Sequence, residues 1–288
     1  MSIKTMLVPI DGTDEALPIL ETAFMVGRDL GAHMNVFHVS ADPKDAVPLL
    51  GEGMSGAMIE EMIDLARKDA DSRSTTARKM FDEFCAKNSI PVVDKPAWSD
   101  QVCASWTVET GREDEAVARH GRLADMVVTS QPTPESDLTS TLTLNAAIFE
   151  TGRPVLVVPP STPPSIGRKI AIFWNGTAES ARAAAAAMPF IENSDTTYIL
   201  TAESARTSTS AATDLATYLA WYGIEAPTEA VEPAGRSVGE SLIRAAHDDG
   251  ADLLVMGAYT HSRMRQLILG GVTKHVLAEA SIPLLMVH

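Results

Sequence analysis

The chain repeats itself at uneven spacing, and this constrains its fold more than any other feature. Lys4–Leu7 with the turn Asp11-Gly12-Thr13 is echoed by Lys169–Ile172 with Asn175-Gly176-Thr177. Gly111-Arg112 is echoed by Gly235-Arg236, Ala124-Asp125-Met126-Val127-Val128 by Ala251-Asp252-Leu253-Leu254-Val255, and Pro154–Val158 by Pro283–Val287. Asp11 and Asn175 lie 164 residues apart, whereas the later pairs lie 124 to 129 apart. A repeat of this length means one supersecondary unit built twice. The drop in offset means that the first copy carries an insertion of 35–40 residues between its second and third strands. The Pro/Gly-rich and charged stretch at about 41–88 lies there.

Each copy alternates short apolar runs with helical patterns, the order of an α/β unit with a parallel sheet. In the first, Thr5–Ile10, Asn35–Val39, Gln101–Val108, Asp125–Thr129 and Pro154–Val158 read as strands. They are too continuously apolar for a half-exposed sheet and suit strands covered on both faces. Glu15–Leu30, Ala57–Asn88, Glu113–Gly121 and Ser136–Glu150 read as helices. The second copy gives strands at Lys169–Trp174, Thr196–Thr201, Glu225–Glu232, Asp252–Met256 and Pro283–Val287. Its helices are Ala178–Ala187, Ala211–Tyr222, Ser237–Asp248 and Met264–Glu279. Pro159–Gly167 holds four prolines in nine residues, a stiff connector. The expected organisation is a first domain at 1–159, a linker at 160–167 and a second domain at 168–288.

Composition narrows the function classes. A formal net charge of −15 offers nothing to a phosphate backbone, so nucleic acid is not an expected partner. No run of about 18 apolar residues is present, and Met1–Leu20 has no charged-then-apolar leader. No membrane partner and a cytoplasmic location are the expectations. Cys85 and Cys103 form no C-x-x-C pair, and the seven histidines show no ligand spacing, so no metal site is expected.

The stretch Gly250–His288 runs strand, loop, helix, strand, and its loop has the spacing Gly257-x2-Thr260-x9-Gly270-Gly271. This resembles the nucleotide loop of the universal stress protein (UspA-type) family, whose pattern is G-x2-G-x9-G-[ST]. The resemblance extends over both halves: strand-Asp-Gly-Thr-helix at Leu7–Leu20, and Gly152-Arg153-Pro154-Val155-Leu156-Val157-Val158-Pro159 at the end of the first copy. It implies two tandem doubly wound, five-stranded parallel-sheet domains of the adenine-nucleotide alpha hydrolase-like type. It also implies ATP or AMP (with magnesium) as ligand, a part in stress response, and pairing along the fifth strands. Here that pairing would be made within the chain, and a homodimer of tandem chains would be a further level.

By position, the resemblance assigns Asn175, Gly257, Thr260, Gly270, Gly271 and Val272 to the nucleotide. Glycines allow the close approach and φ > 0 turns of a phosphate nest, next to a helix N-terminus. Thr260 replaces the second glycine, Gly271 replaces the Ser/Thr hydroxyl, and Asn175 replaces an acid. Thr273 offers a nearby hydroxyl, and His261 and Arg263 offer positive charge. In the first copy, Ser130-Gln131-Pro132-Thr133-Pro134 is followed by Glu135 and Asp137, with no glycine before Gly152. That site reads as lost for ATP. Asp11 survives there, where a helix-cap role is at least as good an account.

Other motifs carry less. Gly51–Gly56 is a literal G-x-G-x-x-G without a preceding strand. Gly235-Arg236-Ser237-Val238-Gly239 is a literal G-x-S-x-G, which a hydrolase would use with Asp252 and His261 or His275; Ser237 suits a helix start equally well. His33 and His38 bracket the second strand and read as satisfied strand-end residues. The four tryptophans read as packing, and the charged helix over Glu60–Lys87 as a solvated face or a partner surface. Two readings remain: a nucleotide-binding stress protein with slow or no hydrolysis, since no general base stands near the loop, or a protein-interaction module. A Ser237 hydrolase is a distant third.

Overall fold

The computed structural model describes residues 2–46, 55–96, 100–134, 136, 138–202, 209–233, 235–258 and 271–288. The first half runs β1 (Thr5–Pro9), α1 (Ala16–Leu30), β2 (His33–Ser40), α2 (Gly56–Lys87), β3 (Cys103–Thr110), α3 (Glu113–Gly121), β4 (Met126–Ser130), α4 (Leu138–Glu150) and β5 (Val155–Val158). The second runs β6 (Lys169–Phe173), α5 (Ala178–Ile191), β7 (Thr196–Ala202), α6 (Thr209–Ala220), β8 (Thr228–Val231), α7 (Val238–Asp248), β9 (Leu253–Gly257), α8 (Gly271–Glu279) and β10 (Leu284–Val287).

The strand order β3-β2-β1-β4-β5 recurs as β8-β7-β6-β9-β10, every neighbour within a half being parallel. This is a doubly wound sheet in which the order of winding reverses between β1 and β4, and again between β6 and β9. The two five-stranded sets are not separate sheets. β5 and β10 pair antiparallel, Leu284 opposite Val157 and Met286 opposite Val155, so one ten-stranded sheet crosses the whole molecule.

Alternation along each strand sends side chains to two cores. Met6, Val8, Val36, Leu156, Ile170 and Leu285 face one; Leu7, Phe37, Val157, Ala171, Leu254 and Met286 face the other. Helices cover both faces, which is why these strands are apolar at nearly every position. Further contacts join the halves: Gln131 Nε2 donates to the Leu277 carbonyl at 2.6 Å, and the Phe149 and His288 rings meet edge-on at 5.0 Å. The Pro-rich connector is itself packed, with Ile166 buried in the first core and Ser165 bonded to Asp252 at 2.6 Å.

The echoed Ala-Asp pairs have a structural role. Asp125 accepts the backbone N–H groups of Lys4 and Thr5 at 2.8 and 3.0 Å, and Asp252 those of Lys169 and Arg168 at 2.9 and 3.2 Å. Each carboxylate therefore fastens the start of one central strand to its neighbour.

The inserted helix α2 is 32 residues long, with Ser55 capping it by accepting the Met58 N–H at 3.3 Å. It is only partly a solvated face: Ala70 is buried, and Ala77, Phe81, Phe84 and Cys85 are buried in the first core. Trp106 packs between Phe81 and His38, and Trp174 lies against the same core, but Trp221 is 86% exposed, contrary to the packing role expected of it. Trp98 lies outside the described residues.

Candidate functional site

In the second half, the switch point between β6 and β9 is flanked by the turn at Asn175 and the start of α8. Asn175 is exposed, and its Oδ1 accepts the Thr177 N–H at 3.2 Å and the Thr177 hydroxyl at 2.8 Å. Thr177 in turn caps α5 in a reciprocal capping box with Ser180. Asp11 makes the same two bonds to Thr13, at 2.9 and 2.8 Å, so the two turns match bond for bond.

Gly257 ends β9 beside the first turn of α5. A methyl group built on it would stand 2.6 Å from the Ser180 nitrogen and 2.7 Å from the Glu179 carbonyl carbon. Close packing of the Ala-rich helix is thus a sufficient reason for glycine here. Gly271 opens α8 and is exposed, Val272 is half-buried against the second core, and Thr273 is buried. Thr260, His261, Arg263 and Gly270 lie outside the described residues.

Charge at this site is mixed. Burial works against ionising Glu179, but its own backbone N–H, the Thr177 hydroxyl and Arg182 together hold the carboxyl below its ordinary range. Arg182 lies 2.8 Å from Glu179 and also donates to the His288 carbonyl at 3.1 Å. A firmly ionised carboxylate therefore sits beside Gly257, matched by one guanidinium.

The geometry does not assemble the hydrolase triad. Ser237 caps α7, its Oγ accepting the Glu240 N–H at 3.1 Å. Asp252 precedes β9, at the opposite end of the parallel strands from the loop that follows β8, and is bonded to Ser165, Arg168 and Lys169. His275 packs on Gly239 across the α7–α8 contact. His261 lies outside the described residues. Among the described residues no three His, Cys, Asp or Glu side chains gather closely enough to hold a metal ion.

The equivalent end of the first half opens into a cavity of about 490 Å³, which the sequence did not disclose. It sits at the ends of β1, β2 and β4, and α2 roofs it with Ala66, Asp69, Ala70 and Arg73. The turn after β1 is shaped to this roof. Gly12 has φ +82°, and a methyl group on it would stand 2.5 Å from the Arg73 carbonyl oxygen. His38 lines the cavity and is 2% exposed; it is not the satisfied strand-end residue expected. Its Nδ1 donates to the Ile10 carbonyl at 2.8 Å, while its Nε2 has no partner among the described residues. His33, by contrast, meets Cys103 Sγ at 3.2 Å and Ser105 Oγ at 2.9 Å.

By class, then, this is a doubly wound α/β protein whose two halves share one strand order, with candidate sites at its strand switch points. Residues 168–288 match the universal stress protein family model, so that half is a universal stress protein domain, and the whole chain has the family's fold. A universal stress protein of Synechocystis is 48% identical over 46 residues, 16% of this chain and 16% of that protein. One from Methanocaldococcus jannaschii is 31% identical over 48 residues, 17% of this chain and 30% of that protein. The matches thus span well under half the length of either relative. A crystal structure of an Archaeoglobus fulgidus universal stress protein superposes with a TM-score of 0.70 at 12% identity, covering 98% of this chain and 97% of that one.

Proposed function

We propose that the second unit binds an adenine nucleotide, ATP or AMP with magnesium, and that the chain acts in the cytoplasm as a stress-response regulator. The observation that carries this reading is the family match over residues 168–288, which includes the whole 257–273 loop. Gly257 lies where such a loop must begin, at the end of β9 beside the switch point. On this reading residues 1–159 and 168–288 are the two units and 160–167 their connector. The fifth strands are already paired with each other, so a homodimer of tandem chains would form through another surface.

Calorimetric titration with ATP and AMP, with and without magnesium, tests the proposal. Micromolar binding to the wild type that is lost in Gly270→Val supports it, and the absence of heat with either nucleotide refutes it. The second reading, an interaction module without nucleotide, draws support from α2. Its Met58 and Leu65 are 53% and 69% exposed on an otherwise charged helix. Under that reading, charge-reversal along α2 would abolish partner capture and leave nucleotide titrations blank.

A further inference from the structure

We propose that the α2-roofed cavity of the first half binds a small organic cation, a primary ammonium or guanidinium on a short apolar stem. This rests on the cavity and not on the nucleotide reading of the second half.

The electrostatics come first. Six carboxylates line the cavity: Asp11, Glu15, Asp42, Asp69, Glu113 and Asp114. Two guanidiniums join them, and each already faces a carboxylate of its own, Arg73 with Asp69 at 3.0 Å and Arg112 with Asp114 at 2.7 Å. The other acids receive neutral donors. Asp11 accepts from Thr13, Glu15 from the Ser136 hydroxyl at 2.9 Å, Asp42 from the Lys44 N–H at 2.9 Å, and Glu113 from the Thr143 hydroxyl at 2.9 Å. For Asp11, Glu15 and Asp42 these neutral donors fix the carboxylate in place without cancelling its charge, so the cavity has an excess of negative charge. A phosphate would be repelled and a cation drawn in.

The second observation is independent of that charge. With Nδ1–H committed to the Ile10 carbonyl, the Nε2 of neutral His38 presents a lone pair and needs an N–H or O–H donor. An unmet polar atom at a buried position is costly, and a ligand donor would satisfy it. His38 is held in place by stacking on Trp106, the rings 6.2 Å apart and inclined by 15°.

The remaining walls specify the stem. Ile10, Ile19, Val39 and Leu142 line the same cavity, and its volume falls in the range of small-molecule sites. With no metal-holding cluster among the described residues, the charge selects an organic cation instead of an inorganic one. The roof comes from the insertion, so the half that lacks a glycine nest has a roofed, acidic chamber in its place.

Agmatine, with a guanidinium and an ammonium on a four-carbon stem, is a suitable probe for the full chain. Calorimetry at low ionic strength should show saturable binding that AMP does not displace and that weakens as salt is added. Glu15→Gln should weaken it several-fold and His38→Phe at least tenfold, the latter keeping the aromatic stack. Ala66→Trp, at a half-exposed position on the roof, should abolish binding by filling the chamber, and provides a test should His38→Phe fail to fold. No agmatine binding would overturn the proposal. So would agmatine binding that survives Ala66→Trp, or AMP or adenosine binding that Ala66→Trp removes.

Discussion

At the scale of single residues, Gly257 shows how one atom of space can decide a position. Its missing side chain admits the backbone of α5, and neither Ser180 nor Glu179 can retreat without unseating a capped helix. Gly257→Ala should cost about 1–3 kcal/mol, as overpacking does elsewhere, measured by urea unfolding. His33 gives a pH dependence. Burial, opposed by a hydrogen bond with Cys103, holds its imidazole below the usual 6.5. Below that value the unfolded chain takes up a proton that the folded chain refuses, so stability falls as pH drops from the unfolded toward the folded pKa. His33→Gln should flatten this part of the stability profile between pH 7 and 5, followed by circular dichroism. An unchanged slope would remove His33 from the account.

At the scale of elements, caps and turns were readable and tertiary fits were not. The turns Asp11-Gly12-Thr13 and Asn175-Gly176-Thr177 signal a strand end and a helix start in sequence, and the structure gives both the same Asx geometry. Thr177→Ala should cost about 1 kcal/mol by thermal or denaturant melting, because it removes a cap and one arm of the capping box. The offset between repeats located α2 as an insertion, because counting residues needs no knowledge of folding. Its alternating charges suggested a solvated helix. Whether its small residues Ala66 and Ala70 would cover strand ends depended on how a 32-residue helix crosses the sheet, which local pattern does not contain. His38 was misread for the same reason. Its partner is a carbonyl just past the end of β1, and its second nitrogen acquires meaning only once the roof is in place. The Ala-Asp echoes were visible as a repeat, but their bonds to Lys4 and Lys169 span 121 and 83 residues.

At the scale of the whole molecule, both cores continue from one half to the other across the β5–β10 seam. The chain should therefore unfold in urea as one cooperative transition with coincident fluorescence and circular dichroism. Leu285→Asp, which places a charge at a fully buried seam position opposite Leu156, should split that transition in two. A single transition in the variant would show that the seam does not couple the halves. The seam has another consequence. Because it is antiparallel while every other pairing is parallel, the strand ends that carry the loops of the first half lie on one rim of the sheet, and those of the second half on the opposite rim. The molecule is two-headed: whatever docks at one end leaves the other end open, and a message between them has only the span of the sheet to travel.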